Sequence, residues 1–487
     1  MKKKASKRKK QRDFENTLAE LVKKDDFIDY QFEHNDSSIC LGYLKSAIDT
    51  EKLEKYILPQ IQQNDYIDLN EVINDIPITK SQLIDDPNQL HEKLIQGYVF
   101  IYMENVNPQY LLVPIPLTKT RQVDIPEVEF SVVGPKEAFV ENIDTNLNLV
   151  RKRIAVPELS IEKMKVGTVT KTKVAVVSIE GIADKENVRT VIQRIKDVQM
   201  DQVIDSSYIQ QAITDNQNSP FPQLLDTERP DRIAAVLTEG KVAIFVDGSP
   251  HVLIGPTTLV EFFSAFEDYF LNWTLASAFR LIRLFAVFFS ILITPLYVAV
   301  LTHHFELIPK TLLGTLVSSR TQVPFPPILE AIILELTIEL LREAGARLPS
   351  KIGQTIGIVG GIVIGTASVE AGLTSNVLLI IVALAALGSF TTPVYQMGNT
   401  IRLIRFPLLV FAHIYGILGV GICIAYIMVH LLKLTSLGRP FLEPIFPFRL
   451  TDLKDAFIRL PFDKQNKRPF AVRPEKVLRS TKQNYDK

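Results

Sequence analysis

The chain has 487 residues, enough for two or three domains, and its 54 Lys and Arg are balanced by 54 Asp and Glu. This balance argues against a generally basic nucleic-acid-binding protein. Its only cysteines, Cys40 and Cys423, are too few for a disulfide framework or a cysteine metal site.

The N-terminus is strongly basic. The first twelve residues, MKKKASKRKKQR, contain eight Lys or Arg and no acid. We predict that residues 1–13 form a disordered arm at a membrane surface, with a nucleic-acid tail as the alternative. No apolar segment follows the arm, so a secretory signal is not expected.

Residues 14–260 contain an internal duplication. DPNQLHEKLIQGYVFIYMENVNPQYLLVPIP, from Asp86, aligns with RPDRIAAVLTEGKVAIFVDGSPHVLIGP, from Arg229. Gly97 then matches Gly240. Each copy predicts a helix followed by a β-hairpin, because turn residues separate two apolar strands.

A second match lies upstream, where CLGYLKSAIDTEKL from Cys40 aligns with AVVSIEGIADKENV from Ala175. It places Asp49 on Asp184, at the start of a helix in each copy. We therefore predict two similar α/β units, at 14–125 and 126–260. Their contact is either a place for a ligand or relative motion, or stacking for stability alone.

The segment GPKEAFVENIDTNLNLVRKRI lies between the repeated motifs and predicts a turn followed by a helix. Basic residues crowd the end of this helix, where they complement its dipole. The alternative is coupling to a neighbouring domain or subunit, for which the candidates are Gly134, Pro135, Arg151 and Arg153.

A helical membrane domain is predicted for residues 261–437. It opens with TTLVEFFSAFEDYFLNW, which reads as an amphipathic helix: an interfacial collar or a helix packed on the soluble half. Four uncharged apolar runs follow, each near or above the length of a spanning helix. They are residues 284–302, 352–369, 371–401 and 406–432.

An acidic helix is predicted at 325–345, among the apolar runs. Its carboxylates form a drifting stripe and must face water, protein or a headgroup layer, since charge facing lipid is costly. They are candidates to line a pore or vestibule: Glu330, Glu335, Glu339 and Glu343.

The number of spans is ambiguous. A fifth span through the acidic helix places Arg402 and Arg405 on the cytoplasmic side but sends the basic tail, 438–487, outside. Four spans keep both termini inside. We favour both termini inside, with the acidic helix dipping in from the interface or lining a vestibule.

The span IGQTIGIVGGIVIGTASVEAG carries glycines at every fourth position, which predicts close helix packing. These are Gly353, Gly357, Gly361 and Gly365. The opposite positions are the alternative candidates for a pore lining that gates by dewetting. These are Ile356, Val359, Val363 and Ser368.

Catalytic and metal-binding motifs are missing from the sequence. It contains no phosphate-cradling glycine loop and no plausible Ser/His/Asp set among its seven histidines. We predict no enzyme activity, no cofactor and no metal.

Several motifs together resemble the A subunits of GerA-type spore germination receptors over about residues 30–450. They include VGPKEAFVENIDTNLNLVRKRI, DGSPHVLIGPTTLVEFFSAFEDYF, PFPPILEAIILELTIELLREAGARLPSKIGQTIG and RFPLLVFAHIYGILG. The expected fold class is an α/β soluble half of two similar units, followed by an all-α transmembrane domain of four or five helices plus interfacial helices.

The resemblance implies a receptor in the inner membrane of a bacterial spore, with its N-terminal domain in the spore core. It also implies a transporter-like B subunit and a lipoprotein C subunit as partners. The A subunits of such receptors are thought to form a homo-oligomeric ion channel that opens when nutrient binds. A non-conducting scaffold and a secondary transporter are the competing interpretations.

Overall fold

A computed structural model describes residues 22, 25–33, 38–84, 88–103, 109–116, 126, 129, 133–348 and 350–479. Two five-stranded sheets form the N-terminal half, and the C-terminal half is helical. The predicted α/β N-terminal half followed by a helical C-terminal half is thereby confirmed. The domain boundaries stay predictions, and the basic arm lies outside the described residues.

The first sheet has the order β1-β2-β4-β5-β3, with every neighbouring pair antiparallel. Its strands are β1 Phe27–Glu33, β2 Ser38–Leu44, β3 Gln82–Ile84, β4 Tyr98–Met103 and β5 Tyr110–Pro114. Three consecutive helical stretches together form α1: Thr50–Lys52, Leu53–Ile57 and Leu58–Gln63. The other helices of this unit are α2 Leu69–Asp75 and α3 Asn88–Ile95.

The second sheet has the order β6-β7-β9-β10-β8 and is also antiparallel. Its strands are β6 Leu159–Val166, β7 Thr172–Ile179, β8 Leu225–Thr227, β9 Val242–Val246 and β10 Val252–Gly255. Its helices are α4 Ile143–Arg153, α5 Lys185–Lys196, α6 Ser206–Ile213 and α7 Pro230–Glu239.

The duplication extends to the strand register. Leu41 of β2 lies opposite Ile101 of β4, and the matched residues Val176 and Ile244 lie opposite each other in the second sheet. The helix and β-hairpin predicted for each copy are present as α3-β4-β5 and α7-β9-β10. The prediction of two similar α/β units is therefore confirmed. The turn predicted at 104–108 lies outside the described residues.

Alternate strand residues point to opposite sides of a sheet, and both sides of each sheet here are apolar. Helices therefore cover both faces of each sheet. In the second unit, Val176 and Ile244 pack with α5 and α6, whereas Val177 and Phe245 pack with α4 and α7. The latter core continues without a break through Phe262 into the helical half. The second α/β unit and the helices thus share one hydrophobic core.

The helical half contains α8 Trp273–His303, α9 Lys310–Arg320, α10 Pro327–Ala346, α11 Ser350–Glu370, α12 Asn376–Ser389 and α13 Tyr395–Lys433. A short ribbon, β11 Thr435–Ser436 and β12 Arg439–Pro440, and helix α14 Leu450–Phe457 follow. Among the described residues, α8 and the whole of α13, which is interrupted at Gly416, are long and apolar enough to cross a membrane on length and composition.

Helix α13 folds back on itself. A straight helix of its 39 residues would be roughly 58 Å long, yet residues near both of its ends contact one loop. Thr400 donates a hydrogen bond to the carbonyl of Pro220 (2.5 Å), and His430 Nε2 lies 2.8 Å from Ser219 Oγ. The reversal occurs at Gly416, whose backbone is non-helical (φ 62°, ψ −141°).

The fold-back changes the predicted course of the chain. The last apolar run, 406–432, is not a single span, because Gly416 divides it between two arms, 395–415 and 417–433. The turn lies against His304 at the far end of α8. The arms, α8, α10, α11 and α12 form six antiparallel segments, so the chain leaves the helices on the side where it entered them.

The predicted amphipathic helix before α8 is wrong. Two 3-10 turns, Leu259–Phe263 and Phe266–Tyr269, occupy the segment, and Ser264 between them is extended. A capping box between Thr258 and Glu261 closes the first turn. In the second turn Asp268 is buried against two arginines of α8, a tertiary contact that outweighs helical periodicity.

We predict that Gly416→Ala destabilises the protein by about 1–3 kcal/mol, because a side chain is strained at this φ and ψ. The added Cβ would also lie 2.7 Å from His304 Nε2. The control is Gly421→Ala in the second arm, where a Cβ meets no atom of a described residue within 4 Å. Thermal unfolding of the detergent-purified chain should show a lower Tm for Gly416→Ala only; equal Tm values would contradict the strained turn.

Candidate functional site

Three acid–arginine contacts of α10, here called the ladder, hold the helices together. At the first, Glu330 is fully buried and contacts Arg320 of α9 at 2.8 Å. Its other oxygen accepts a hydrogen bond from the backbone N–H of Ser375 at 3.2 Å, just before α12. This contact joins three helices at the end of the bundle farther from the α/β units.

The second contact lies at mid-bundle. Glu335 is 3% exposed, and its Oε2 accepts a hydrogen bond from Arg405 Nη1 at 2.6 Å. Arg405 also donates to Ser290 Oγ at 2.9 Å, and Thr294 donates to Glu335 at 3.3 Å. The pair therefore links α10 to α8 and to the first arm of α13.

The third contact is half-buried. Glu339 accepts a hydrogen bond from Arg342 at 2.6 Å and lies 3.3 Å from Arg402 Nε. Arg342 also donates to Asn399 of α13 at 2.9 Å. Next along α10, Glu343 pairs with Arg347 at 2.5 Å, but both side chains are more than half exposed. Burial thus decreases along the stripe from Glu330 to Glu343.

In the ladder, the charges of the buried carboxylates are neutralised by arginines. An ionised group in apolar surroundings is stable only with an opposite charge and hydrogen bonds, and removing one partner leaves the other charge uncompensated. In this chain Glu330 and Glu335 face arginines and not open solvent. Their predicted role in lining a pore stays a prediction, and it requires these pairs to open.

The glycine-bearing helix α11 presents an uncovered face. Among the described residues, a Cβ at Gly361 would meet nothing within 4 Å, and Val363 is 56% exposed. At Gly365 the nearest atom is a methyl of Leu379, at 3.7 Å, and Ser368 is half-buried. The close packing and pore roles predicted for α11 stay predictions. The surroundings of Gly353, Gly357, Ile356 and Val359 lie outside the described residues.

Arg151 of α4 joins the two α/β units. It donates to Asp26 Oδ2 and to Ser46 Oγ, each at 2.6 Å, and is 4% exposed. Lys163 of β6 approaches the other oxygen of Asp26 at 3.1 Å. Arg153 pairs instead with Glu137 at 2.5 Å, within the second unit. Of the two arginines, Arg151 makes the contact between units.

The other two coupling candidates meet the aromatic segment before α8. Gly134 (φ 112°) lies against the Phe270 ring, where a Cβ would come within 2.7 Å of ring carbons. The carbonyl of Pro135 accepts a hydrogen bond from the buried Arg229 at 3.3 Å. Arg229 stacks over Phe270, which makes this corner a direct contact between the second unit and the entry to α8.

The C-terminal tail docks on the second α/β unit, a feature for which the sequence carries no local signal. Arg439 is 8% exposed and contacts Asp184 (2.7 Å), Glu186 (2.9 Å) and Asn187 Oδ1 (2.8 Å) at the start of α5. Asn187 in turn donates to the carbonyl of Val472 at 3.0 Å. The helical half is therefore tied to the second unit at its exit as well as at its entry.

The duplicated units differ at this corner. In the first unit Asp49, which matches Asp184, pairs with its own neighbour Lys52 at 3.4 Å. Likewise, Gly97 lies against Pro116 of the same unit, whereas the matched Gly240 lies against Pro474 of the tail. The tail supplies the second unit with contacts that the first unit makes within itself.

Asp215 fastens the exit of α13. It accepts hydrogen bonds from Arg194, from the Thr435 hydroxyl and, at 2.9 Å, from the N–H of Gly438. Burial alone would raise the pKa of Asp215, but these hydrogen bonds lower its pKa below the ordinary value. The charged form of Asp215 is thus the one that holds the tail.

Arg402 and Arg405 pair with acids inside the bundle, so they are not the loop charges that the positive-inside rule counts. The rule makes Arg402 and Arg405 markers of a cytoplasmic loop, although charges at membrane depth generally pair with one another. Among the described residues, no group of three or more His, Cys, Asp or Glu is arranged to hold a metal ion. The ladder can therefore form and break ion pairs between its glutamates and arginines.

The family model for the Bacillus/Clostridium GerA spore germination protein matches residues 14–471. The chain belongs to this GerA family. It is 48% identical to spore germination protein GerQA of Bacillus cereus over 471 residues, covering 96% of this chain and 94% of the relative. Spore germination protein A1 of Bacillus subtilis (strain 168) is 38% identical over 425 residues, with coverage of 87% and 88%.

A solved structure also resembles this GerA-family chain: the N-terminal domain of the A subunit of the Bacillus megaterium spore germinant receptor GerK3. The two are 30% identical, and the match covers 49% of this chain and 91% of that domain, with a TM-score of 0.37.

We predict that Glu335→Gln destabilises the bundle by about 3–5 kcal/mol, because Arg405 then keeps an uncompensated buried charge. Glu343→Gln, which alters the exposed pair, should change stability by about 0–1 kcal/mol. Tm values of the purified chains measure both effects. The double variant Glu335→Leu, Arg405→Met should recover most of the loss; a purely additive loss would show that the two residues are not coupled.

A second prediction concerns pH. The lowered pKa of Asp215 means that its contribution to stability is present above the unfolded value of about 3.9 and is lost as pH falls through the folded pKa. Asp215→Asn should lower stability at neutral pH by about 1.5–3 kcal/mol and flatten the acid limb of Tm against pH. The control is the exposed Glu180→Gln; identical acid limbs in all three chains would refute the assignment.

Proposed function

We propose that the chain is the A subunit of a nutrient germinant receptor in the spore inner membrane. Family membership over nearly the whole chain supports this, as does its similarity to the spore germination proteins GerQA and A1. The receptor also contains the transporter-like B subunit and the lipoprotein C subunit implied by the family resemblance. Both α/β units and the C-terminal tail lie on the spore-core side.

The A subunit forms a homo-oligomeric, germinant-gated cation channel, and the observation that carries this is the ladder. Carboxylates buried in an apolar bundle attract cations once water reaches them, but while they are paired with arginines they are neutralised. The paired ladder therefore corresponds to a closed channel. A shift of α13 against α10 separates Glu335 from Arg405 and exposes carboxylates to a water path.

Oligomerisation is supported by the uncovered face of α11. Helices associate within lipid by close contact of small residues, and a Cβ at Gly361 would meet nothing within 4 Å among the described residues. In a ring of identical subunits, this face meets the next subunit and Val363 lies near the contact.

Coupling runs through the second α/β unit, which holds both the entry and the exit of the bundle. Gln210 of α6 bonds Gln396 at the start of α13 (3.0 Å), and Asp215 and Asp184 hold the segment after its end. A rotation of this unit, driven by germinant binding to a partner subunit, pulls on both arms of α13. The first arm, which contains Arg402 and Arg405, carries the movement to the ladder.

A non-conducting scaffold is the second candidate function, and the same contacts favour it. If the ladder never opens, its acids serve to hold five helices in place, and the subunit transmits the signal to its partners without passing ions itself. The two functions predict different rates of cation release when a ladder charge is neutralised.

The test is cation release from spores whose germination depends on this receptor, after addition of a mixed nutrient stimulus. Glu339→Gln neutralises the half-buried contact and should slow monovalent cation release about tenfold, the lower end of what a focused charge contributes to ion entry. Glu343→Gln is the matched control and should behave like the wild type. Unchanged release from Glu339→Gln spores with normal receptor levels would support the scaffold.

A further inference from the structure

The C-terminal tail exposes a group of large apolar side chains after the β11–β12 ribbon. Four are phenylalanines, of which Phe448 is 65% and Phe462 66% exposed. We call the group the tail surface, and each of its members is at least 39% exposed: Ile445, Phe446, Phe448, Ile458, Phe462 and Phe470. Large apolar side chains gathered on a surface mark a contact with a membrane or with another molecule.

The rings of the tail surface belong to one packed segment. Arg449, next to Phe448, stacks on the ring of Phe470 at 3.9 Å. Asp452 of α14 accepts a hydrogen bond from the N–H of Phe470 at 2.9 Å, and Arg449 lies 3.5 Å from Glu443. These contacts fix the positions of the rings, so the fold itself directs them outward.

The same segment is tied to the start of α8. Arg459 donates hydrogen bonds to the carbonyls of Leu271 and Tyr269, the latter at 3.1 Å. The carbonyl of Arg459 accepts a hydrogen bond from the Ser277 hydroxyl at 3.3 Å, and its guanidinium lies 4.7 Å from the centre of the Phe462 ring. Phe462 therefore lies level with the start of α8.

The start of α8 is also the start of an exposed apolar surface. Trp273, the only tryptophan of the chain, is 45% exposed there. The large side chains that follow it on the exposed side of α8 are apolar: Leu275, Phe279, Leu281, Ile282, Phe285 and Phe288. Aromatic rings collect at the boundary between headgroups and acyl chains, and the tail surface continues that of α8 at this boundary.

Basic residues accompany the tail surface. Residues 438–487 contain twelve Lys or Arg and six Asp or Glu. Lys464 and Lys467 are exposed and lie between Phe462 and Phe470 in the sequence. A surface that combines rings with lysines suits anionic headgroups, because the rings enter the layer below the phosphates that the lysines attract.

We propose that the tail surface binds the spore-core leaflet of the bilayer, with anionic lipid headgroups as its ligand. The phenylalanines insert at the level of Trp273, and Lys464 and Lys467 contact lipid phosphates. The inference rests on the membrane placement in the proposed function, and it is the same for a channel and for a scaffold.

Lipid binding by the tail gives the second α/β unit a contact with the bilayer. Beyond the tail surface, Arg468 donates a hydrogen bond to the carbonyl of Thr238 at 2.7 Å, at the end of α7. The tail therefore lies between this unit and the headgroups, and the lipid composition of the leaflet acts on the unit that holds the bundle.

The test measures tryptophan fluorescence of the full chain in vesicles whose lipids carry bromine on the acyl chains, which quenches tryptophan on contact. Phe448→Trp and Phe462→Trp are made singly in a Trp273→Phe background. Both should be quenched to an extent similar to Trp273 of the wild type. The control is Ile67→Trp in the same background, at an 82% exposed position of the first unit, and it should not be quenched.

The charge is tested in vesicles that contain both phosphatidylcholine and phosphatidylglycerol, with bromine on one or the other at equal mole fraction. Each lysine near an anionic surface favours it roughly fivefold, so brominated phosphatidylglycerol should quench Phe462→Trp more strongly. Adding Lys464→Gln and Lys467→Gln should remove the difference. Lys185→Gln, an exposed lysine of α5, is the control and should leave it unchanged.

The outcomes separate this proposal from the proposed function. Loss of quenching at Trp273 itself would overturn the membrane placement together with the tail surface, whereas loss at the two tail positions alone overturns only this proposal. Protection of the tail positions from aqueous acrylamide without quenching by lipid would assign the surface to another protein. Equal quenching by the two brominated lipids would overturn anionic headgroups as the ligand.

Discussion

An ionised side chain cannot remain among apolar helices without an opposite charge or water, and this constraint organises the C-terminal half. Glu335 and Arg405 meet only if α10 lies against the first arm of α13 with α8 behind both. Glu330 adds α9 and α12 in the same way. The hydrophobic effect gathers these helices, but it is non-directional, and the ion pairs select one arrangement.

The second α/β unit contacts the helical half at both its entry and its exit, and the two duplicated units differ in these contacts. The first unit closes its own corner with Lys52 and Pro116, whereas the second receives Arg439 and Pro474 from the tail. Its core is also continuous with that of the helices. The second unit therefore contacts the bundle through packed side chains as well as through hydrogen bonds, and the proposed coupling uses both.

The sequence was most informative where local patterns decide the structure. Turn residues between alternating apolar strands predicted the repeated hairpins, and the aligned residues proved to share one strand register. It was least informative about long-range contacts. Nothing local distinguishes Gly416, which reverses the chain, from the helical Gly421, and Arg405 meets its partner 70 residues away. The helix predicted for the aromatic segment was wrong for the same reason, because Asp268 forms ion pairs with arginines of α8.

The docking of the tail has a consequence for biosynthesis. Pro474 and its neighbours leave the ribosome after every helix has been made, although domains generally fold in the order in which they are synthesised. The nascent second unit must wait with its corner at Gly240 uncovered until the helices have been synthesised and the tail returns to it. Completion of this unit therefore requires that the whole helical half has already been synthesised.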